Sequence, residues 1–180
     1  DSDTIRILDI SDPANPMEIS KFKVNNYPEK LKFNGNFVFT GNNYLQSIDI
    51  GNPNSPVFKD ELYLPGRMSD FFVLGNKISV SYNNGVVLYE FNEDGSIIPL
   101  DTFSTPGLST SLAIRDHYAF TAQYAHGITI LDFQDPAMPL PVMFIPVNNE
   151  LTSVKIKDQY LFVSNWGLSV YDISDPLNPQ

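Results

Sequence analysis

The chain predicts an all-β protein built as a β-propeller from blades of four antiparallel strands, in about four repeats of 40–42 residues. Three observations carry that expectation. A short phrase recurs at nearly constant spacing, groups of four strand-like runs lie between its copies, and helical periodicity is almost absent.

The phrase comes first. "LDISDPANP" at residues 8–16 and "YDISDPLNP" at 171–179 are nearly identical, and between them stand "SIDIGNPNSP", "LYEFNEDGS" and "ILDFQDPAMP". The acidic residues Asp9, Asp49, Glu90, Asp132 and Asp172 are thus separated by 40, 41, 42 and 40 positions. Repeat units follow at 9–48, 49–89, 90–131 and 132–171, with the start of another at 172–180, all within one domain at 1–180.

The strands fall in register with it. A first run (A) reads "EKLKF", "SDFFVL", "TSLAIR" and "TSVKIK", and a second (B) "NFVFTG", "KISVSY", "HYAFTA" and "QYLFVS". Tight polar turns, "NGN", "GNK", "RDH" and "KDQ", join A to B. Strand C carries the phrase, and a fourth run (D) such as "MEISKFKV" or "VFKDELYL" comes after it. Each run is short, rich in Val, Ile, Phe and Tyr, and bounded by Gly, Asn, Asp or Pro. Four such strands every 40 or so residues is propeller spacing; a stacked β-solenoid is the structural alternative, with repeats that are usually shorter.

Counting strands poses a question. Residues 4–11 form a C strand and 17–24 a D strand, three complete sets follow, and 151–174 supply A, B and C, so C occurs at both ends. Either the chain is a window from a larger propeller, the expectation adopted here, or one terminal C strand lies outside a closed four-bladed ring.

Composition excludes several classes. Eleven Lys and Arg against 21 Asp and Glu, a net charge of −10, argue against nucleic acid and anionic membrane surfaces. No apolar run approaches the roughly 18 residues of a membrane-spanning helix. Without cysteine there is no disulfide, thiol nucleophile or thiolate metal site, and nothing in the pattern calls for a cofactor. Exposed blade edges predict self-association.

The apolar run followed by D-I-S-x-P-x-x-P resembles the LVIVD repeat, a propeller-forming repeat of bacterial and archaeal surface or secreted proteins. The likeness is strongest at 5–16, 45–56, 128–139 and 168–179 and weakest at "VVLYEFNEDGSIIPL", where "NEDGS" replaces the Asp-Pro corner. It implies the fold and an extracytoplasmic, secreted or cell-surface location, and it carries no shared catalytic motif.

Two readings of the corner carboxylates stand side by side. Asp9, Asp12, Asp49, Asp132, Asp135, Asp172 and Asp175 can cap turns by accepting backbone amides, or can be imagined as calcium ligands. Each corner offers two carboxylates and then a proline, too sparse for a loop metal site, so capping is favoured and no metal is expected.

Function is sought where the repeats differ. The B-to-C loops "GNNY", "YNNG", "QYAHG" and "SNWG" place Asn43, Asn84, His126 and Trp166 at matching positions, with Tyr82, Tyr124 and Asn165 beside them. The D-to-A loops add Tyr27, Glu29, Arg67, Asp70 and Glu150 on the same face. Aromatic rings beside Asn, Asp and Arg suit a protein or carbohydrate partner; the plainer reading is that the rings pack between blades. Catalytic residues are not evident: His117 and His126 fall on opposite faces, and only Glu29 and Asp70 suggest paired carboxylates. The reading is therefore a non-catalytic binding module using one loop face. A structural spacer without ligand, or a channel-centred enzyme acting on polysaccharide, are the alternatives.

Overall fold

The four-strand rhythm appears strand for strand in the computed structural model, which describes residues 3–25, 27–135 and 138–180. Asn26 of the first D-to-A loop, and Pro136 and Ala137 of the third Asp-Pro corner, lie outside them. A hairpin of β1 (Thr4–Asp9) and β2 (Met17–Lys23) precedes three full blades. Blade 1 holds β3 (Lys30–Asn34), β4 (Phe37–Gly41), β5 (Tyr44–Asp49) and β6 (Val57–Tyr63). Blade 2 holds β7 (Met68–Leu74), β8 (Lys77–Tyr82), β9 (Gly85–Phe91) and β10 (Ile97–Ser104). Blade 3 holds β11 (Ser109–Arg115), β12 (Tyr118–Gln123), β13 (Gly127–Asp132) and β14 (Leu140–Ile145). A three-stranded sheet, β15 (Ser153–Lys157), β16 (Tyr160–Ser164) and β17 (Leu168–Asp172), ends the series. Every pairing is antiparallel between sequence neighbours.

The turns explain the local residue choices. Each A-to-B hairpin has two central residues, and the first takes a left-handed backbone: Gly35, Gly75, Asp116 and Asp158 have φ of 54°, 56°, 54° and 55°. Gly and Asp are the residues that tolerate this turn. At the same end of each blade, where strand C leaves the sheet, the carboxylates do cap corners. Asp9 accepts the Ser11 amide at 2.8 Å, Asp49 that of Gly51 at 2.9 Å, and Asp172 that of Ser174 at 2.8 Å. Asp12 and Asp175 repeat the motif one step later. Where the corner is replaced, Glu90 instead takes Lys77 and Asn76, and Asp94 caps Ser96.

The apolar residues on the two faces of each sheet build the seams between blades. Phe39 and Leu45 of blade 1 meet Phe71, Val80, Tyr89 and Phe91 of blade 2, with the Phe39 and Phe91 ring centroids 4.8 Å apart. Phe120, Ile128 and Ile130 of blade 3 meet Leu151, Val154, Leu161 and Ile173. The seam between blades 2 and 3 is leaner, with Val86 and Leu88 against Leu112, Ala119 and Leu131. Each large side chain so buried contributes roughly 1.5–3 kcal/mol. The A strands β3, β7, β11 and β15 contact one another in turn, which identifies them as the inner, axial wall.

Closure by terminal strands would make β2 the fourth strand of β15–β16–β17. It pairs with β1 instead, and β17 pairs with β16. The described residues therefore form an arc of three complete blades between a C–D hairpin and an A–B–C sheet.

Candidate functional site

The loop face is tied together through the backbone. The first loop residue after strand B, Asn42, accepts the amide of Met68 in the next blade at 2.7 Å, and Asn83 accepts that of Ser109 at 2.7 Å. Tyr124 likewise accepts Leu151 at 2.6 Å. Asn43 and Asn84 accept Leu64 and Thr105 of their own blades at 3.0 and 2.8 Å. Their carbonyls thus hold the scaffold while the residues themselves stay exposed.

Loop length decides which side chains match. Ladder partners Gly41 and Leu45, Gln123 and Gly127, and Ser164 and Leu168 each enclose three residues, whereas Tyr82 and Gly85 enclose two. Asn43 and Trp166 are central residues, and the residue opposite them in blade 3 is Ala125. His126 sits one position later, so the proposed alignment of His126 with Trp166 is offset by one. Gly107 supports His126 from below: a Cβ there would collide with the imidazole.

Trp166 does not pack between blades. It is 84% exposed, with φ of 69°, an uncommon conformation for a bulky residue. The preceding Asn165 exchanges hydrogen bonds with Ser169 across the same loop at 3.2 and 3.4 Å. Tyr124 is 39% exposed, and the Glu150 carboxylate beside its hydroxyl holds its pKa above the ordinary value. Tyr27 and Tyr63 are also exposed, the latter edge-on to Tyr44 with centroids 5.2 Å apart.

Arg67 and Asp70, neighbours in sequence, part company in space. Arg67 stays on the face and binds Glu29 Oε1 at 2.5 Å, an oxygen that also accepts Asn42 at 3.2 Å. A cleft of about 330 Å3 lies beside them, lined by Glu29, Lys30, Arg67, Met68, Ser69, Asn83 and Leu108. Asp70 is buried in the axial wall, where it accepts the Phe71 amide at 3.0 Å and the Ser111 hydroxyl at 3.2 Å, and lies 3.5 Å from Lys155 Nζ. A strand pulls it inward because its side chain alternates with that of Phe71, which enters the seam to blade 1.

Among the described residues no group of three His, Asp or Glu side chains is arranged to hold a metal ion. His117 lies 3.9 Å from Asp132 in an A-to-B turn, away from His126. Sequence reasoning missed Lys30 and the cleft. The signal was there in "EKLKF", whose alternating lysines occupy one side of a strand.

Blades of four antiparallel strands, arranged around an axial wall of A strands and bearing variable loops at one end, define a β-propeller repeat protein. The chain belongs to the LVIVD repeat family, whose model matches residues 2–24, 28–62, 106–143 and 150–180. No curated protein matches it. Among solved structures it is similar to a functionally unknown protein from Desulfotomaculum acetoxidans DSM 771, with a TM-score of 0.86 over 99% of this chain at 13% identity. The chain spans 62% of that protein's length. It also resembles the computationally designed Ika8 protein (TM-score 0.70, 11% identity, 88% of this chain and 50% of that one). The designed Ika4 protein is similar as well (TM-score 0.67, 14% identity, 84% of this chain and 94% of that one). At these identities the likeness concerns the fold.

Proposed function

We propose that the chain is a non-catalytic binding module of a secreted or cell-surface protein, and that it recognises a protein or carbohydrate through its B-to-C and D-to-A loops. One observation carries the reading. Trp166 is held in a left-handed conformation, which costs a non-glycine residue about 1–2 kcal/mol, yet its ring contributes almost nothing to the blade seams. An exposed indole on a rigid hairpin supplies contact area at low entropy cost, as recognition surfaces require. The paired state of Glu29 and Asp70, each beside a cation, favours binding over carboxylate catalysis. Membership of the LVIVD repeat family supports the extracytoplasmic setting.

The test is a glycan and peptide array probed with the chain and with a Trp166→Ala, Tyr124→Ala double variant. Binding to a defined partner, weakened at least tenfold in the variant at unchanged thermal stability, supports the reading. A large fall in stability would make both rings packing residues. Absence of any ligand would favour the spacer, and turnover of a polysaccharide lost on Glu29 or Asp70 substitution would favour the enzyme.

A further inference from the structure

The cations of this acidic protein are sorted in an unexpected way. Of the eleven Lys and Arg, Arg6, Lys23, Lys59, Arg67, Lys77, Arg115 and Lys155 lie within 4.0 Å of a carboxylate. Lys21, Lys30, Lys32 and Lys157 have no such partner among the described residues. With 21 carboxylates available, unpaired lysines would be expected at random sites, but three of the four lie on axial A strands. The ladders of β3 and β15 place Lys30, Lys32 and Lys157 on the side equivalent to Asp70 and Ser111.

Lys30 is the one that also lines a cleft. There Glu29 is neutralised by Arg67, so the ammonium of Lys30 is the uncompensated charge of the site. Only one of the guanidinium's donors is used by Glu29, and five are available in principle. The Ser69 hydroxyl and Asn83 carboxamide add directional groups, and Met68 and Leu108 add apolar surface. A volume of about 330 Å3 is at the small end of ligand pockets.

From these observations we infer that the cleft is a subsite for a singly charged, hydroxylated carboxylic acid of monosaccharide size, a sugar acid, with Lys30 taking the carboxylate. One net positive charge beside the Glu29 carboxylate fits a monoanion and disfavours a phosphate dianion. The net charge of −10 disfavours long polyanions, since repulsion acts over a Debye length of roughly 8 Å, whereas the contact with Lys30 is local. Hydroxyls of the acid reach Ser69 and Asn83, and its C–H face lies against Leu108. The inference rests on the loop face being the recognition surface, and names the chemistry of one part of it.

The full chain is titrated with galacturonate, with its uncharged methyl ester, with galactose and with a galacturonate trimer, followed by calorimetry and by amide chemical shifts. Saturable galacturonate binding is expected, with shifts confined to residues 29–30, 66–69, 83–84 and 107–109. The methyl ester and Lys30→Met each weaken it about tenfold, while Lys21→Met, at an unpaired lysine that does not line the cleft, leaves it unchanged. Equal or weaker binding of the trimer is expected from that repulsion, and clearly tighter binding of the trimer overturns the assignment to a single monoanionic sugar acid. Equal affinity for acid and ester, no binding, or no effect of Lys30→Met overturns the inference. If the double variant at Trp166 and Tyr124 still abolishes partner binding in that case, the binding-module reading stands without this subsite.

Discussion

Lys155 Nζ lies 3.5 Å from Asp70 Oδ2, although β15 and β7 are the inner strands of sheets two places apart. The pair spans blade 3, whose Ser111 donates its hydroxyl to the same Asp70 oxygen at 3.2 Å. The Ser111 oxygen also receives the Val154 amide at 3.2 Å. Three successive axial strands are thus joined by one buried carboxylate and one hydroxyl.

The two ends of that link should differ in weight. Lys155 is 64% exposed at its side chain, so Lys155→Met is expected to cost under about 1 kcal/mol. Asp70→Ala removes the acceptor of the Phe71 amide and of Ser111 within the fold and should cost about 1–3 kcal/mol. Urea unfolding of both single variants and the double variant measures the coupling; equal effects of the two substitutions would show that the ion pair outweighs the buried hydrogen bonds.

At Trp166 the expectation runs the other way. Little apolar area is lost on replacing an indole that is 84% exposed, and Asn adopts the left-handed region more readily than Trp. Trp166→Asn should leave the unfolding midpoint unchanged or raise stability by up to about 1 kcal/mol. A loss larger than that would mean that the ring packs on the protein in solution.

Gly127 provides a contrasting position. Its φ is 98°, and a Cβ there would run into the Ile145 carbonyl and come within 3.1 Å of the Val147 amide nitrogen, both backbone atoms. Gly127→Ala should cost about 1–3 kcal/mol from conformation alone, with the backbone collision in addition. Gly167→Ala, with nothing near its Cβ, serves as the neutral control in thermal unfolding.

Acid should weaken the fold through its corners. Backbone amides at Ser11, Gly51 and Ser174 hold the Asp9, Asp49 and Asp172 carboxyls below their usual range. In the unfolded chain these groups return to about 4 and bind protons more readily. Their contribution is therefore complete above the unfolded value and is lost as pH falls through the lowered folded values. Asp49→Asn with Asp172→Asn keeps an acceptor oxygen for the Gly51 and Ser174 amides but cannot titrate. Denaturant midpoints between pH 6 and pH 2.5 should decline less steeply in that variant, and an identical slope would remove these two corners from the acid response.

Strand number, order and the positions of the turns were legible in the sequence because they are local. A side-chain period of two, a proline or glycine at each boundary, and an aspartate two residues before the amide it caps all operate within about ten residues. They specified Asp9, Asp49, Asp132 and Asp172 as corner residues and the A-to-B turns at Gly35, Gly75, Asp116 and Asp158. What the tertiary structure alone decided is the direction and company of individual side chains at the loop face. Arg67 and Asp70 are three residues apart in sequence, yet the former meets Glu29 at the rim and the latter Lys155 across the axial wall. Trp166 stands in solvent rather than in a seam, and Lys30 borders a cleft with residues up to 78 positions away, at Leu108. The physical reason is that blade stacking brings together strands some 40 residues apart, and each such meeting depends on the twist and spacing of whole sheets rather than on any stretch of chain short enough to show a pattern.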